Sequence, residues 1–233
     1  MDFSQEFSNG SSHLLEIFKE PRGIMRVLQF IFALVGFYAI TGFEGYVNIP
    51  YCYPEKVAKI IYDYPFNLEA VQYPVTCNNK TIILHLFEDY SFDAEFYVVT
   101  CVLSIIFCVI ISIVYIKFSE MYENNDKISL ADFVITVLLG VFWLSSTAIW
   151  TLGLHSLKSN TKGDTLSKTT DYCITTDINN FVHCTKITSG GYFGLNMSVI
   201  IGFLNFFLWA SDLWFLYKET PWFQTRQSLG TPS

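Results

Sequence analysis

Four histidines, six cysteines and a few polar side chains set in apolar sequence carry the chemical potential of this 233-residue chain. His13, His85, His155 and His183 are scattered, with no pair at metal-ligand spacing and no Cys-x-x-Cys. There is no Gly-x-Ser-x-Gly elbow, no phosphate-cradling glycine loop and no pair of carboxylates placed together inside an apolar stretch. The expectation is a protein that is not an enzyme and holds neither a metal nor a cofactor. Its cysteines have a pattern of their own. Cys52 and Cys77 share one polar loop, and Cys173 and Cys184 share another. Paired thiols in two loops on one side suggest an oxidising lumen. Four cysteines permit three pairings, and closure within each loop, Cys52 with Cys77 and Cys173 with Cys184, is the simplest; each would contribute about 3 kcal/mol by loop entropy. Cys101 and Cys108, seven apart on an apolar stretch, read as small buried hydrophobes. Asp212 is the exceptional acid, because an ionised carboxylate at mid-bilayer costs about 2.5 to 3.5 kcal/mol. It is expected to reach the interface or to meet Arg26, Lys117 or Lys218, and as a lone acid it makes a poor relay. Glu44 receives the same reading, and Asn205 is a hydrogen-bonding position of the kind that draws membrane helices together.

The elements that position these residues are four long apolar stretches, about residues 24–46, 95–118, 133–154 and 195–217. A hydrocarbon core of about 30 Å takes about 20 helical residues, so each stretch is long enough to cross. Hydrophobic residues make up 52% of the chain and charged ones only 15%, well below the roughly 25% charge of globular proteins. The fold class that follows is an all-α membrane protein, a four-helix bundle with small lumenal loops. Residues 1–23 form an amino-terminal segment, 24–217 the membrane domain and 218–233 a short tail. The net charge of −7 and the lack of a Lys/Arg cluster argue against nucleic acid. Gly36, Gly42, Gly140, Gly202, Ser145, Ser146 and Thr147 supply small faces for helix association within or between copies.

Counting Lys and Arg over whole segments gives a tie, but charges beside the span ends weigh most. Arg22, Arg26, Lys117 and Lys218 lie on the terminal side, against chiefly Lys158 opposite, so both termini are expected to be cytosolic. No cleavable signal is expected before the first span, since residues 1–23 contain several charged side chains. The sequon at Asn79 then faces the lumen as a glycosylation site, while those at Asn9 and Asn196 are expected to stay bare. In the first loop, residues 81–87 read as a strand, and Tyr62, Tyr64, Phe66 and Tyr73 are expected to pack the loop onto itself. Residues 159–176 read as a flexible polar stretch.

Phe18-Lys-Glu-Pro21, Gly23 and Val27-Leu28 resemble the amino-terminal signature of the synaptophysin family. Tyr64-Pro-Phe-Asn-Leu68, Asp89-Tyr-Ser91 with Ala94-Glu-Phe96, Asp132-Phe133, Trp143-Leu-Ser-Ser146 with Ala148 and Trp150, and Leu195-Asn-Met-Ser-Val199 follow in order. The fourth span, Gly202-Phe-Leu-Asn205, Leu208-Trp209 and Leu213-Trp-Phe215 ending in Lys218-Glu-Thr220, carries the closest similarity. The resemblance covers residues 16–220, and Asp212 departs from it where the family commonly has Asn. It implies a MARVEL-type four-span protein of synaptic or other small cytoplasmic vesicles, a short-tailed, pantophysin-like member with disulfide-closed lumenal loops. It further implies self-association, contact with a synaptobrevin-type vesicle SNARE, cholesterol-rich membrane and a role in membrane trafficking. The alternatives are a channel or transporter subunit using Asp212 and Glu44, with Asn205 as a further lining residue, and a junctional four-span adhesion protein. The tryptophan and paired-cysteine pattern of the latter's first loop is missing.

Overall fold

Hydropathy of two different periods builds this chain: long unbroken apolar runs, and a short alternating stretch in which every second residue is buried. A computed structural model describes residues 21–51, 56–77, 80–117, 126–169 and 187–219. The long runs are helices α1 (Pro21–Thr41), α2 (Ser91–Lys117), α3 (Asp126–Asn160) and α5 (Phe193–Glu219). Each contains a segment long and apolar enough to cross a bilayer: Gly23–Thr41, Ser91–Ile116, Lys127–Asn160 and Phe193–Tyr217. The remaining elements are strands β1 (Glu44–Tyr51), β2 (Lys56–Asp63), β3 (Gln72–Cys77), β4 (Lys80–His85) and β5 (Thr188–Ser189), and the short helix α4 (Gly163–Thr169).

The chain divides into two compact units. One comprises Met1–Gly36, Val99–Ser145 and Ile200–Ser233. Its described part is helical throughout, with segments of α1, α2, α3 and α5. Their outward side chains are large and apolar: Ile24, Val27 and Ile31 on α1, Val102, Ile106, Val109 and Ile113 on α2, Val134, Leu138 and Val141 on α3, and Leu204 and Phe207 on α5. Inside, Trp143 is wholly buried and its indole nitrogen donates to Ser104 Oγ at 2.7 Å. This is the inverse of a soluble helix cluster, as expected where lipid is the solvent.

The other unit comprises Phe37–Val98 and Ser146–Val199. Here β1 pairs antiparallel with β2 from Glu44 opposite Asp63 to Tyr51 opposite Lys56, and β5 joins the far side of β1. In β2, Ala58, Ile60 and Tyr62 point inward while Val57, Lys59 and Ile61 face out, the period of two that sheets require. The β3–β4 hairpin pairs Gln72 with His85 and Cys77 with Lys80. Phe66 is wholly buried and stacks on Trp150 with ring centroids 5.6 Å apart. Its φ of 69° is a left-handed conformation that a bulky residue rarely adopts. That conformation is held by Phe66 N donating to Asp63 O at 2.7 Å and Tyr90 N donating to Phe66 O at 3.1 Å.

Three sequence expectations are corrected. The first span ends at Thr41, not near residue 46, because Glu44–Tyr51 forms a strand; apolar sequence alone does not separate the end of a helix from a following strand. The third helix begins at Asp126 and runs to Asn160, well beyond 133–154. The stretch after Ser159 includes α4, which is anchored by the buried Leu166 and begun by Leu166 N donating to Lys162 O at 3.0 Å.

Two consequences follow for this second unit. A β-carbon on Gly153 would meet the Asp93 carboxylate and lie 2.9 Å from Asp93 Cβ, so α2 and α3 approach here only because residue 153 lacks a side chain. Gly153→Val should lower thermal stability in detergent by about 1 to 3 kcal/mol, while Gly191→Ala, where nothing lies within 4 Å, should be nearly silent. Burial, together with the 2.5 Å hydrogen bond that Tyr90 donates to Glu88, raises the Tyr90 phenol above its usual value of 10.0. The neutral phenol is the form the fold prefers. Its contribution is complete below the unfolded value and is lost as pH rises through the higher folded one. Absorbance titration should show ionisation of Tyr90 later than that of an exposed tyrosine, and Tyr90→Phe should remove that late component.

Candidate functional site

In the first unit, each long helix sets polar residues on one inward face. Arg26 and Gln29 are three apart on α1, and Asp132 and Thr136 are four apart on α3. On α5, Asn205, Trp209 and Asp212 follow at spacings of four and three; α2 contributes Cys108 and Tyr115, seven apart. Arg26, Gln29, Asp132, Thr136, Asn205, Trp209 and Asp212 are all buried, none more than 2% exposed.

The Arg26 guanidinium is the centre. Its NH2 group donates to Asp132 Oδ1 at 2.8 Å and to Thr136 Oγ1 at 3.0 Å. Its NH1 group lies 2.9 Å from Asp212 Oδ2 and donates to Gln29 Oε1 at 3.2 Å. Gln29 Nε2 in turn donates to Asp212 Oδ2 at 3.2 Å, and the Tyr115 hydroxyl donates to Asp132 Oδ2 at 2.6 Å. The guanidinium carbon lies 5.3 Å from the Phe107 ring centroid and 5.2 Å from that of Trp209, close enough for cation–π attraction. One cation on α1 is thus held by two acids and two rings drawn from the other three long helices. Such a planar fork suits arginine and not lysine, whose ammonium cannot bond two acids through separate nitrogens of fixed geometry.

The sequence-derived residues fall differently. Asp212 lies in this cluster and its cation is Arg26. It is not a lone acid, because Asp132 shares the same guanidinium. A pair of carboxylates therefore converges inside the spans, contrary to the sequence expectation. Asp132 was read only as part of the family resemblance and not as a residue of the span, because the third span was drawn from Phe133. Arg26 was assigned to the interface as a topology signal, yet its side chain is 1% exposed and its charge is spent internally. The usable signal was present: ionisable residues within apolar helices, with Gln29 and Thr136 one turn along from Arg26 and Asp132. Asn205 is wholly buried, and its amide makes no hydrogen bond with any described residue. Glu44 lies in no span; it opens β1 in the second unit and is exposed. Cys101 and Cys108 are buried free thiols. Cys77 ends β3, whereas Cys52, Cys173, Cys184 and the sequon Asn79 lie outside the described residues. Among the described residues, no three His, Cys, Asp or Glu side chains gather as a metal site.

This arrangement offers no open nucleophile or base. Its chemistry is electrostatic: it fixes which faces of four helices meet and holds charge away from lipid. Arg26→Gln would strand two buried carboxylates, and breaking a buried pair costs about 3 to 5 kcal/mol. Thermal unfolding of the purified protein in mild detergent should show that loss, whereas Arg26→Lys should recover only part of it.

Inward polar pairing, four apolar helices and large outward aliphatic side chains together describe a multi-pass membrane domain. Residues 17–215 match the family model of MARVEL, described as a membrane-associating domain, and the chain belongs to that family.

Proposed function

We propose that this protein is a non-enzymatic organiser of small transport-vesicle membranes, a synaptophysin-type member of its family that acts through helix and lipid contacts. The observation that carries this reading is the division of its surface. Arg26, Asp132 and Asp212 are paired inside the helical unit, and only 22 to 33% of each span's apolar window is buried, leaving most of it for lipid or partner helices. Many of the small residues read from the sequence as association faces, among them Gly36, Ser146, Thr147 and Gly202, are buried within the chain. Self-association and contact with a synaptobrevin-type SNARE helix are therefore assigned to the outer aliphatic faces, and cholesterol is the lipid proposed to fill them.

The proposed orientation places both termini in the cytosol. With Arg26 neutralised inside, it is supported by Arg22, Lys117 and Lys218. The lumenal loops then contain the disulfides Cys52 with Cys77 and Cys173 with Cys184, and a glycan on Asn79. The organiser reading is preferred to a channel because Asp212 is closed off by Arg26 and Glu44 stands outside the spans. Crosslinking in intact vesicle membranes followed by partner identification tests it. Recovery of self-oligomers together with a vesicle SNARE is expected, and recovery of monomer alone after gentle extraction would overturn it.

A further inference from the structure

A buried indole carries one N–H donor, and inside a membrane domain that donor must find an acceptor. Trp143, Trp150 and Trp209 are each wholly buried. The first donates to Ser104 Oγ at 2.7 Å and the second to Ser198 Oγ at 2.8 Å, so in both cases a hydroxyl on a neighbouring long helix meets the need. The Trp209 indole nitrogen, on α5, makes no hydrogen bond with a described residue. Asn205, one turn earlier on the same helix, is wholly buried too, and both its amide nitrogen and its carbonyl oxygen are unpaired among the described residues. Side chains four apart are neighbours on a helix surface, so Asn205 and Trp209 set unmet hydrogen-bonding groups side by side.

The indole is held where it is by other contacts. Its ring lies 5.2 Å from the Arg26 guanidinium carbon and 6.0 Å from the Phe107 ring centroid. Turning the ring toward another acceptor would give up the cation–π contact. The groups left over define their ligand, which must accept from the Trp209 N–H and the Asn205 amide nitrogen and donate to Asn205 Oδ1. An anion accepts but cannot donate, and a metal ion would suit Oδ1 but be opposed by the N–H donors. A sterol or lipid headgroup is too large for atoms enclosed within the chain. Water does both and is small enough, and buried polar groups of this kind are where proteins hold it.

We propose that Asn205 and Trp209 form an internal water-binding site of the helical unit, with a bound water joining the Asn205 amide to the Trp209 N–H. Asn205 is then a hydration residue, not one that draws a second helix by direct bonding.

The test is water-edited solid-state nuclear magnetic resonance of the full chain in lipid bilayers, with tryptophan indoles labelled with nitrogen-15. The Trp209 signal is assigned by its loss in Trp209→Phe, which keeps an aromatic face toward Arg26. At short mixing times, magnetisation from water should reach the Trp209 indole nitrogen several-fold more strongly than that of Trp143, the dry reference bonded to Ser104. Asn205→Leu should bring the Trp209 transfer down to the Trp143 level. A Trp209 indole as silent as Trp143 in the wild type would overturn the site. Transfer that survives Asn205→Leu would do so as well, since it would come through the exchangeable Arg26 protons. The wild-type contrast between Trp209 and Trp143 decides by itself should Asn205→Leu fail to fold.

Discussion

A guanidinium that cannot reach water must be neutralised where it lies, and this requirement orders the helical unit. Arg26 has two acids as hydrogen-bonded or ion-paired partners and two aromatic faces alongside, and these come from three other helices. Apolar packing alone would leave rotations of lipid-facing helices nearly equivalent, because lipid tails are as apolar as leucine. A buried ion pair removes that degeneracy, since turning α1, α3 or α5 exposes a charge to hydrocarbon. Specificity of packing, more than net stability, is what such a pair supplies.

The second unit solves a different problem with different chemistry. Its sheet obtains uniqueness from alternation, with Val47 and Ile49 on β1 and Ala58, Ile60 and Tyr62 on β2 all buried. A one-residue slip would turn every one of them outward. The Phe66–Trp150 stack then ties the segment after β2 to α3. The unfavourable backbone of Phe66 is tolerated because its ring is wholly enclosed and its amide and carbonyl are both bonded.

The four spans were legible in the sequence because unbroken hydropathy of that length has one solution in lipid. A strand near residues 81–87 was legible too, and β4 lies at Lys80–His85. The pairing of β1 with β2 was not, since the residues up to Tyr46 read as the end of the preceding apolar stretch by hydropathy alone. Asp212 was conspicuous because it stands among Trp, Leu and Phe. Arg26 and Asp132 were not, because each lies near a span end, where charge has an ordinary explanation. Their meaning depends on three-dimensional convergence across 106 residues of chain, and no local pattern reports that.

That separation bears on how the protein is made. When α1 leaves the ribosome its arginine has no counter-ion; the first, Asp132, is 106 residues away, and Asp212 belongs to the last helix. Until then the nascent first helix must keep Arg26 at the headgroup level or against the insertion machinery. Asp132 is the first acid that can meet that side chain, and Asp212, on the last helix, completes the cluster.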